Sequence, residues 1–132
     1  MAAGEAKPPS VRTRKMASVI QKEISEIILR ELNDPRLQKL GMITVSHVDL
    51  AGDHRNATVH VSFMGQRTEK KEAKAAVKLL NGAAPFFRRS LAKRMQTKVV
   101  PQVNFRYDES FDRAAKVHQA FIRAAKTGEE EE

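Results

Sequence analysis

Residues 43–63, ITVSHVDLAGDHRNATVHVSF, decide the fold because they predict two strands joined by a short turn. The second half alternates cleanly, with apolar residues at 57, 59, 61 and 63, which is typical of a strand that buries one face. In the first half the apolar alternation changes phase, which indicates a β-bulge near Ser46 and His47. Residues 51–55 have the chemistry and length of a hairpin loop, so we expect an antiparallel hairpin.

The residues before the hairpin predict a flexible leader and one long helix. Residues 1–10 are rich in alanine, proline and glycine and contain no apolar run, so we expect neither a signal peptide nor an anchor there. From about Ser10 to Leu32 the apolar residues recur at spacings of three and four, as in an amphipathic helix. Asn33-Asp34-Pro35 is expected to end this helix, because proline disfavours helical geometry in the residue before it.

Two consecutive helices joined by a kink are predicted after the hairpin. The first begins at Thr68 as a helix cap and ends at Asn81-Gly82. The second follows at once, since proline suits the first turn of a helix, and Phe87 begins its inward stripe. The helix kink is expected at the three residues between them, Ala83, Ala84 and Pro85.

A third strand and a last helix complete the predicted elements. The strand alternates at Val103, Phe105 and Tyr107. Ser110 can cap a helix that runs to about Lys126, with one stripe formed by Ala114, Val117, Phe121 and Ala125.

The element order is therefore α-β-β-α-α-β with an additional C-terminal helix. One three-stranded sheet covered on one side by helices is the simplest way to bury these faces, so we predict an α+β fold. We expect a leader at 1–10, one domain at 11–126 that includes the last helix, and an acidic disordered tail at 127–132.

Composition excludes several functional classes. The 132 residues include 24 basic and 16 acidic ones, a net charge of +8, and a basic body of this kind attracts nucleic acid or an anionic membrane surface. The absence of cysteine excludes disulfide scaffolds, thiolate metal sites and thiol catalysis. No apolar run approaches the roughly 18–20 residues that span a bilayer. We therefore expect a soluble cytoplasmic protein without a membrane partner.

The basic residues are concentrated in the predicted helix pair. Ten basic residues stand against two acidic ones between 67 and 98, whereas solvated helices normally mix both signs. We therefore predict nucleic-acid contact on this pair, assisted by a smaller N-terminal cluster. The predicted RNA-binding residues are Arg12, Arg14, Lys15, Lys70, Lys71, Lys74, Lys78, Arg88, Arg89, Lys93, Arg94 and Lys98.

Recognition through phosphates and shape is favoured over recognition of bases. A helix junction beside a sheet is typical of KH modules, but no two of the six glycines have the spacing of their Gly-x-x-Gly clamp. Tryptophan is absent, and most phenylalanines fall on predicted inner faces. Phe86 is the exception: it either packs beside the kink or stacks on a base.

The sequence contains little that would form a catalytic site. His47 and His60 lie on adjacent predicted strands with Asp49 nearby, so a metal pair is geometrically conceivable, although two ligands on an open sheet make a poor site. No glycine-rich loop with a phosphate-binding lysine occurs. We expect no catalytic residue, no metal and no cofactor, and a metal hydrolase remains the enzymatic alternative.

The order and spacing of several segments resemble the ribosome-binding factor A family from about Arg12 to Phe121. These segments are Asn33-Asp34-Pro35-Arg36, residues 41–46, Asp53, residues 57–62, Phe86-Phe87-Arg88 with Leu91, residues 100–105 and residues 107–110. The resemblance implies a type II KH-like fold in which an Ala-x-Gly kink replaces the Gly-x-x-Gly loop. Pro85 here stands where that family usually has glycine, which removes a backbone donor from the kink.

The resemblance also implies a function. Members bind immature 30S subunits near the 5′ end of the 16S rRNA, assist late maturation and 5′-end processing, notably in the cold, and are not catalysts. The implied partners are the 30S subunit, free and not within the 70S ribosome, and 16S rRNA, bound by a monomer. The alternative is a KH-type regulator of free RNA or DNA, which should bind isolated oligonucleotides as well as it binds subunits.

Overall fold

The computed structural model describes residues 8–39, 42–64 and 70–130. Within these ranges the chain forms five helices and three strands. In chain order the elements are α1 (Val11–Arg30), α2 (Pro35–Gln38), β1 (Met42–Leu50), β2 (Asn56–Met64), α3 (Lys70–Gly82), α4 (Ala84–Arg94), β3 (Gln102–Tyr107) and α5 (Glu109–Glu130). The predicted α+β order is confirmed.

Helix α1 begins where the sequence predicted it, and Ser10 is its N-cap. The Ser10 hydroxyl accepts a hydrogen bond from the Thr13 backbone N–H at 3.1 Å, which satisfies one of the unpaired donors at the helix start. One face of α1 is fully buried at Ile20, Ile24 and Ile27. This face anchors α1 on the core and confirms the predicted apolar stripe.

A short helix, α2, follows where the sequence predicted only a stop. Pro35 occupies its first turn, and the Asp34 carboxylate accepts a hydrogen bond from the Arg36 backbone N–H at 2.9 Å. The same Asp-Pro pair therefore ends one helix and starts the next.

The three strands form one sheet in the order β1-β2-β3. Strands β1 and β2 pair antiparallel, and the register shifts between Val45 and His47, which confirms the predicted hairpin and its bulge. Strand β3 runs parallel to β2, and the intervening helices α3 and α4 supply the long crossover that a parallel pair requires.

The core lies on one face of this sheet. Helices α1, α3 and α4 cover that face, and the inward residues of β2 and β3 complete the core. The other face carries mostly polar side chains, among them His60, Asn104 and Arg106. The sheet thus separates a helical side from a polar side.

Helix α5 differs from its prediction at both ends. It runs from Glu109 to Glu130 and so extends into residues 127–130 of the segment for which a disordered tail was predicted. Residues 131–132 lie outside the described residues, as do residues 1–7 of the predicted leader. Glutamate and lysine favour helix strongly enough to carry it past Gly128. The stripe of Val117 and Phe121 is exposed, at 65% and 73%. Within the described residues no helix has the length and apolar character to cross a membrane.

Candidate RNA interface

Helix α3 presents a row of lysines on the side opposite its buried residues. Ala73, Ala76 and Leu80 are buried, so the residues between them point outward. The exposed residues of this helix include Lys71, Lys74 and Lys78, at spacings of three and four. They therefore follow one another along the outer surface of α3. The predicted Thr68 cap lies outside the described residues.

Helix α4, which follows α3 directly, carries a second set of exposed cations. Phe87 and Leu91 are fully buried, which turns Arg88, Arg89 and Lys93 outward into solvent. Among the described ion pairs none shorter than 4 Å involves these three residues or the three lysines of α3. We call this set of six residues the cationic face: Lys71, Lys74, Lys78, Arg88, Arg89 and Lys93.

The helical path breaks between α3 and α4. Helix α3 ends at Gly82, Ala83 interrupts the helical path, and Pro85 lies in the first turn of α4. The Ala83 carbonyl accepts a hydrogen bond from the Phe87 backbone N–H at 3.1 Å, so the two helices follow each other with almost no loop. Phe86 is partly buried against the core, edge-on to Phe87 at 5.8 Å between ring centroids, and thus packs beside the kink.

Asn81 fixes this helix pair to the sheet, a role that the sequence analysis missed. Its side chain donates to the Phe105 carbonyl at 3.0 Å and accepts from the Phe105 N–H at 2.7 Å. The side-chain amide thus pairs with β3 much as a neighbouring strand does. The only hint in the sequence is an asparagine at a helix end, where helix capping explains it equally well.

Arg94 does not belong to the cationic face, although the sequence groups it there. Its guanidinium donates to Glu23 and Glu26 at 3.1 Å and to Glu31 at 2.9 Å. Hydrogen bonds to Glu31 and Glu23 hold the pKa of Arg94 above its ordinary value. Ser90 and Arg94 lower the pKa of Glu31 in turn. Arg94 therefore joins α4 to α1, with its charge already neutralised.

Lys70 is also paired, though it remains accessible. Its ammonium lies 3.2 Å from the Glu109 carboxylate at the start of α5, and its side chain is 57% exposed. The hydrogen bond from Lys70 is the main reason that the pKa of Glu109 lies below its ordinary value. This pair joins the start of α3 to the start of α5.

The predicted N-terminal cluster lies at the other end of the sheet. Thr13 and His54 share a hydrogen bond of 3.1 Å, which holds the start of α1 against the β1–β2 hairpin loop. From there to the end of β3, near Lys70, the sheet extends five residues, or roughly 17 Å. Lys98 lies in the segment before β3, and the first residue of β3, Gln102, donates to the Arg55 carbonyl next to the hairpin loop at 2.9 Å. The structure thus separates Arg12, Arg14, Lys15 and Lys98 from Lys70, although all five are exposed.

The two histidines weighed as metal ligands do meet on the polar side of the sheet. The Nε2 atoms of His47 and His60 lie 2.7 and 2.9 Å from the two carboxylate oxygens of Asp49. Burial opposes the charged carboxylate, but these hydrogen bonds outweigh it and the pKa of Asp49 lies below its ordinary value. Among the described residues no group of three or more histidine, aspartate or glutamate side chains is arranged to hold a metal ion.

The topology and the kinked helix pair define the class of this protein: a small α+β domain with a type II KH-like fold and a cationic helical face. The ribosome-binding factor A family model matches residues 12–121. A Thermotoga maritima ribosome-binding factor A is 40% identical over 115 residues, which cover 87% of this chain and 84% of the relative. The chain belongs to the ribosome-binding factor A family.

Solved structures agree with this assignment. The solution NMR structure of a Thermotoga maritima protein of this family is 39% identical, covers 79% of this chain and 93% of its own, and gives a TM-score of 0.64. A Thermus thermophilus ribosome-binding factor A, fitted as a homology model into a cryo-EM map of a 30S complex, is 26% identical. It covers 70% of this chain and 91% of its own, with a TM-score of 0.55.

Proposed function

We propose that this chain is an RNA-binding assembly factor of the small ribosomal subunit, and that it binds RNA through the cationic face. The observation that carries the proposal is a set of six exposed cations without a described ion-pair partner, on two adjoining helices. A field of a single sign attracts RNA phosphates, and binding releases the counterions that were condensed on the RNA. Membership of a family of ribosome-binding factors supports the ribosomal target.

Contact through phosphates and shape follows from the chemistry of this face. Lysine and arginine side chains position a protein on a phosphate backbone without reading bases. Phe86, the one aromatic candidate for base stacking, packs against the core. Pro85 has no backbone N–H, so the kink offers one donor fewer to a phosphate. We therefore assign the cationic face to folded RNA and not to a base sequence.

The proposed target is the immature 30S subunit and its 16S rRNA. The Thermus relative fitted into a 30S complex supports the 30S assignment. By analogy with the family, the chain assists late maturation and 5′-end processing of 16S rRNA, notably in the cold, in the cytoplasm. It acts as a monomer without a cofactor and catalyses no reaction. A binding protein of this kind stabilises one RNA conformer over another and so shifts their populations.

Sucrose-gradient fractionation of a lysate, with immunodetection of this protein, tests the proposal. We expect the protein in the 30S fractions and its absence from the 70S fractions. A signal confined to the top of the gradient contradicts the proposal and favours a regulator of free RNA or DNA. A signal mainly in the 70S fractions contradicts the preference for immature subunits.

A further inference from the structure

Three side chains that can carry positive charge lie side by side on the polar side of the sheet. The register places His47 opposite His60 in β1 and β2, and His60 opposite Arg106 in β2 and β3. Adjacent strands are about 4.8 Å apart, so the three residues form a row across the whole sheet. His47 and His60 have side chains that are 61% and 25% exposed, and Arg106 is exposed. We call them the sheet row. The cationic face lies on the opposite, helical side.

Asp49 determines which nitrogen of each neutral imidazole carries the proton. Both imidazoles meet its carboxylate through Nε2, at 2.7 and 2.9 Å, and their ring centroids are 5.7 Å apart. Since Nε2 is the atom that donates to the carboxylate, each neutral ring carries an unprotonated Nδ1. Within the part of the chain that the structure describes, neither Nδ1 has a hydrogen-bond partner. A proton taken up by either ring therefore binds to Nδ1. The Nδ1 atom then changes from a hydrogen-bond acceptor into a donor, and the ring becomes positively charged.

Because the charges around the sheet row nearly balance, protonation of its two histidines determines its net charge. With both imidazoles neutral, the sheet row and Asp49 together have no net charge, since Arg106 contributes one positive charge and Asp49 one negative charge. Arg14 of α1 borders the same groove as His47 and Asp49, and the carboxylate of Asp108, the residue after β3, accepts from Ser46 at 2.6 Å. Helix α5, which packs on β2, begins with Glu109, already paired with Lys70 and Arg113. These neighbours leave the row close to neutral, and two protonated imidazoles raise its net charge by two.

We propose that the sheet row is a second RNA contact, which binds a backbone phosphate when its two histidines are protonated. A tetrahedral oxyanion can accept from several donors at once, and histidine ordinarily gains its proton between pH 7 and 6. The phosphate site rests on the sheet geometry. Its assignment to RNA rests on the proposed function, and the following measurements separate the two.

The first measurement follows histidine side-chain NMR signals of the wild-type protein during titration with inorganic phosphate, at pH 6 and pH 8. We expect saturable shifts of the His47 and His60 signals at pH 6 and not at pH 8, with the His118 signal unmoved. Absence of saturable shifts at pH 6, or equal shifts at both pH values, overturns the site. This measurement requires no variant to fold.

The second measurement compares the affinity for a labelled, folded 16S rRNA fragment at the same two pH values. One additional charged hydrogen bond corresponds to about tenfold, so we expect roughly tenfold tighter binding at pH 6 than at pH 8. In the double variant His47→Gln with His60→Gln this ratio should fall to near one, whereas His118→Gln, exposed on α5, should keep it. A double variant that retains the ratio, or a His118→Gln variant that loses it, overturns the assignment to RNA.

The two proposals fail in different ways. Arg88→Glu with Arg89→Glu on the cationic face should weaken RNA binding at both pH values and leave their ratio unchanged. Wild-type affinity in that variant contradicts the proposed function. A collapse of the pH ratio in that variant contradicts an independent sheet row.

Discussion

The cationic face makes a quantitative prediction about salt. If all six exposed cations contact phosphates, the logarithm of the association constant falls linearly with the logarithm of the salt concentration. At roughly 0.7–0.9 per contact, the slope of this line has a magnitude of about 4 to 5. Replacing Lys74 and Lys78 by glutamine removes two of these contacts without placing a negative charge on α3. We therefore expect the slope to become shallower by about 1.4 to 1.8.

Fluorescence anisotropy with a labelled 16S rRNA fragment, measured between about 50 and 300 mM salt, gives this slope. The matched control is Lys39→Gln with Lys126→Gln, which loses the same charge at two exposed residues outside the cationic face. It should keep the wild-type slope. A slope near zero for the wild type refutes electrostatic binding, and an equal loss of slope in the control refutes the placement of the contacts.

Two further predictions concern the elements that hold the cationic face in place. Asn81→Ala removes both hydrogen bonds to β3 and should lower the free energy of unfolding by about 1–3 kcal/mol in urea denaturation, whereas the exposed Asn104→Ala should change it by less than about 0.5 kcal/mol. Glu31→Gln should destabilise the protein near pH 7, because donors on α4 keep the pKa of Glu31 below its unfolded value of 4.5. The difference in free energy of unfolding between this variant and the wild type should shrink as the pH falls below 4.5 and through the pKa of Glu31 in the folded state.

Each of these predictions has a contradicting result. Equal stability of the Asn81 and Asn104 variants shows that the side-chain pairing with β3 contributes nothing measurable. For Glu31, chemical denaturation from pH 7 to pH 3 gives the difference at each pH. A constant difference over that range shows that the charge of Glu31 plays no part, and Glu72→Gln, exposed on α3, serves as the control.

Local patterns predict most of this fold because most of its elements are locally determined. The alternation at Val59 and Val61 gives β2, and the change of phase near Ser46 gives the bulge that the register shows. Pro85 lies in the first turn of α4, where its fixed φ suits the start of a helix and its missing N–H costs no helical hydrogen bond. In each case the residues that specify the element lie within or beside it.

Contacts between distant segments cannot be predicted from local sequence patterns. The partners of Arg94 lie 63 to 71 residues away, and a run of basic residues gives no sign that one of them is neutralised by α1. Likewise, the stripe of Phe121 predicts an amphipathic helix but not whether anything covers it. Such features depend on tertiary packing, which periodicity does not encode.

The most direct test of the central claim is co-sedimentation of variants with purified immature 30S subunits. Arg88→Glu with Arg89→Glu reverses two charges in the cationic face, and Lys39→Glu with Lys126→Glu reverses two exposed charges outside it. Circular dichroism establishes that both variants are folded. We expect the first variant to remain in the supernatant and the second to pellet with the subunits like the wild type. Pelleting of the first variant at the wild-type level would show that the cationic face does not hold the RNA.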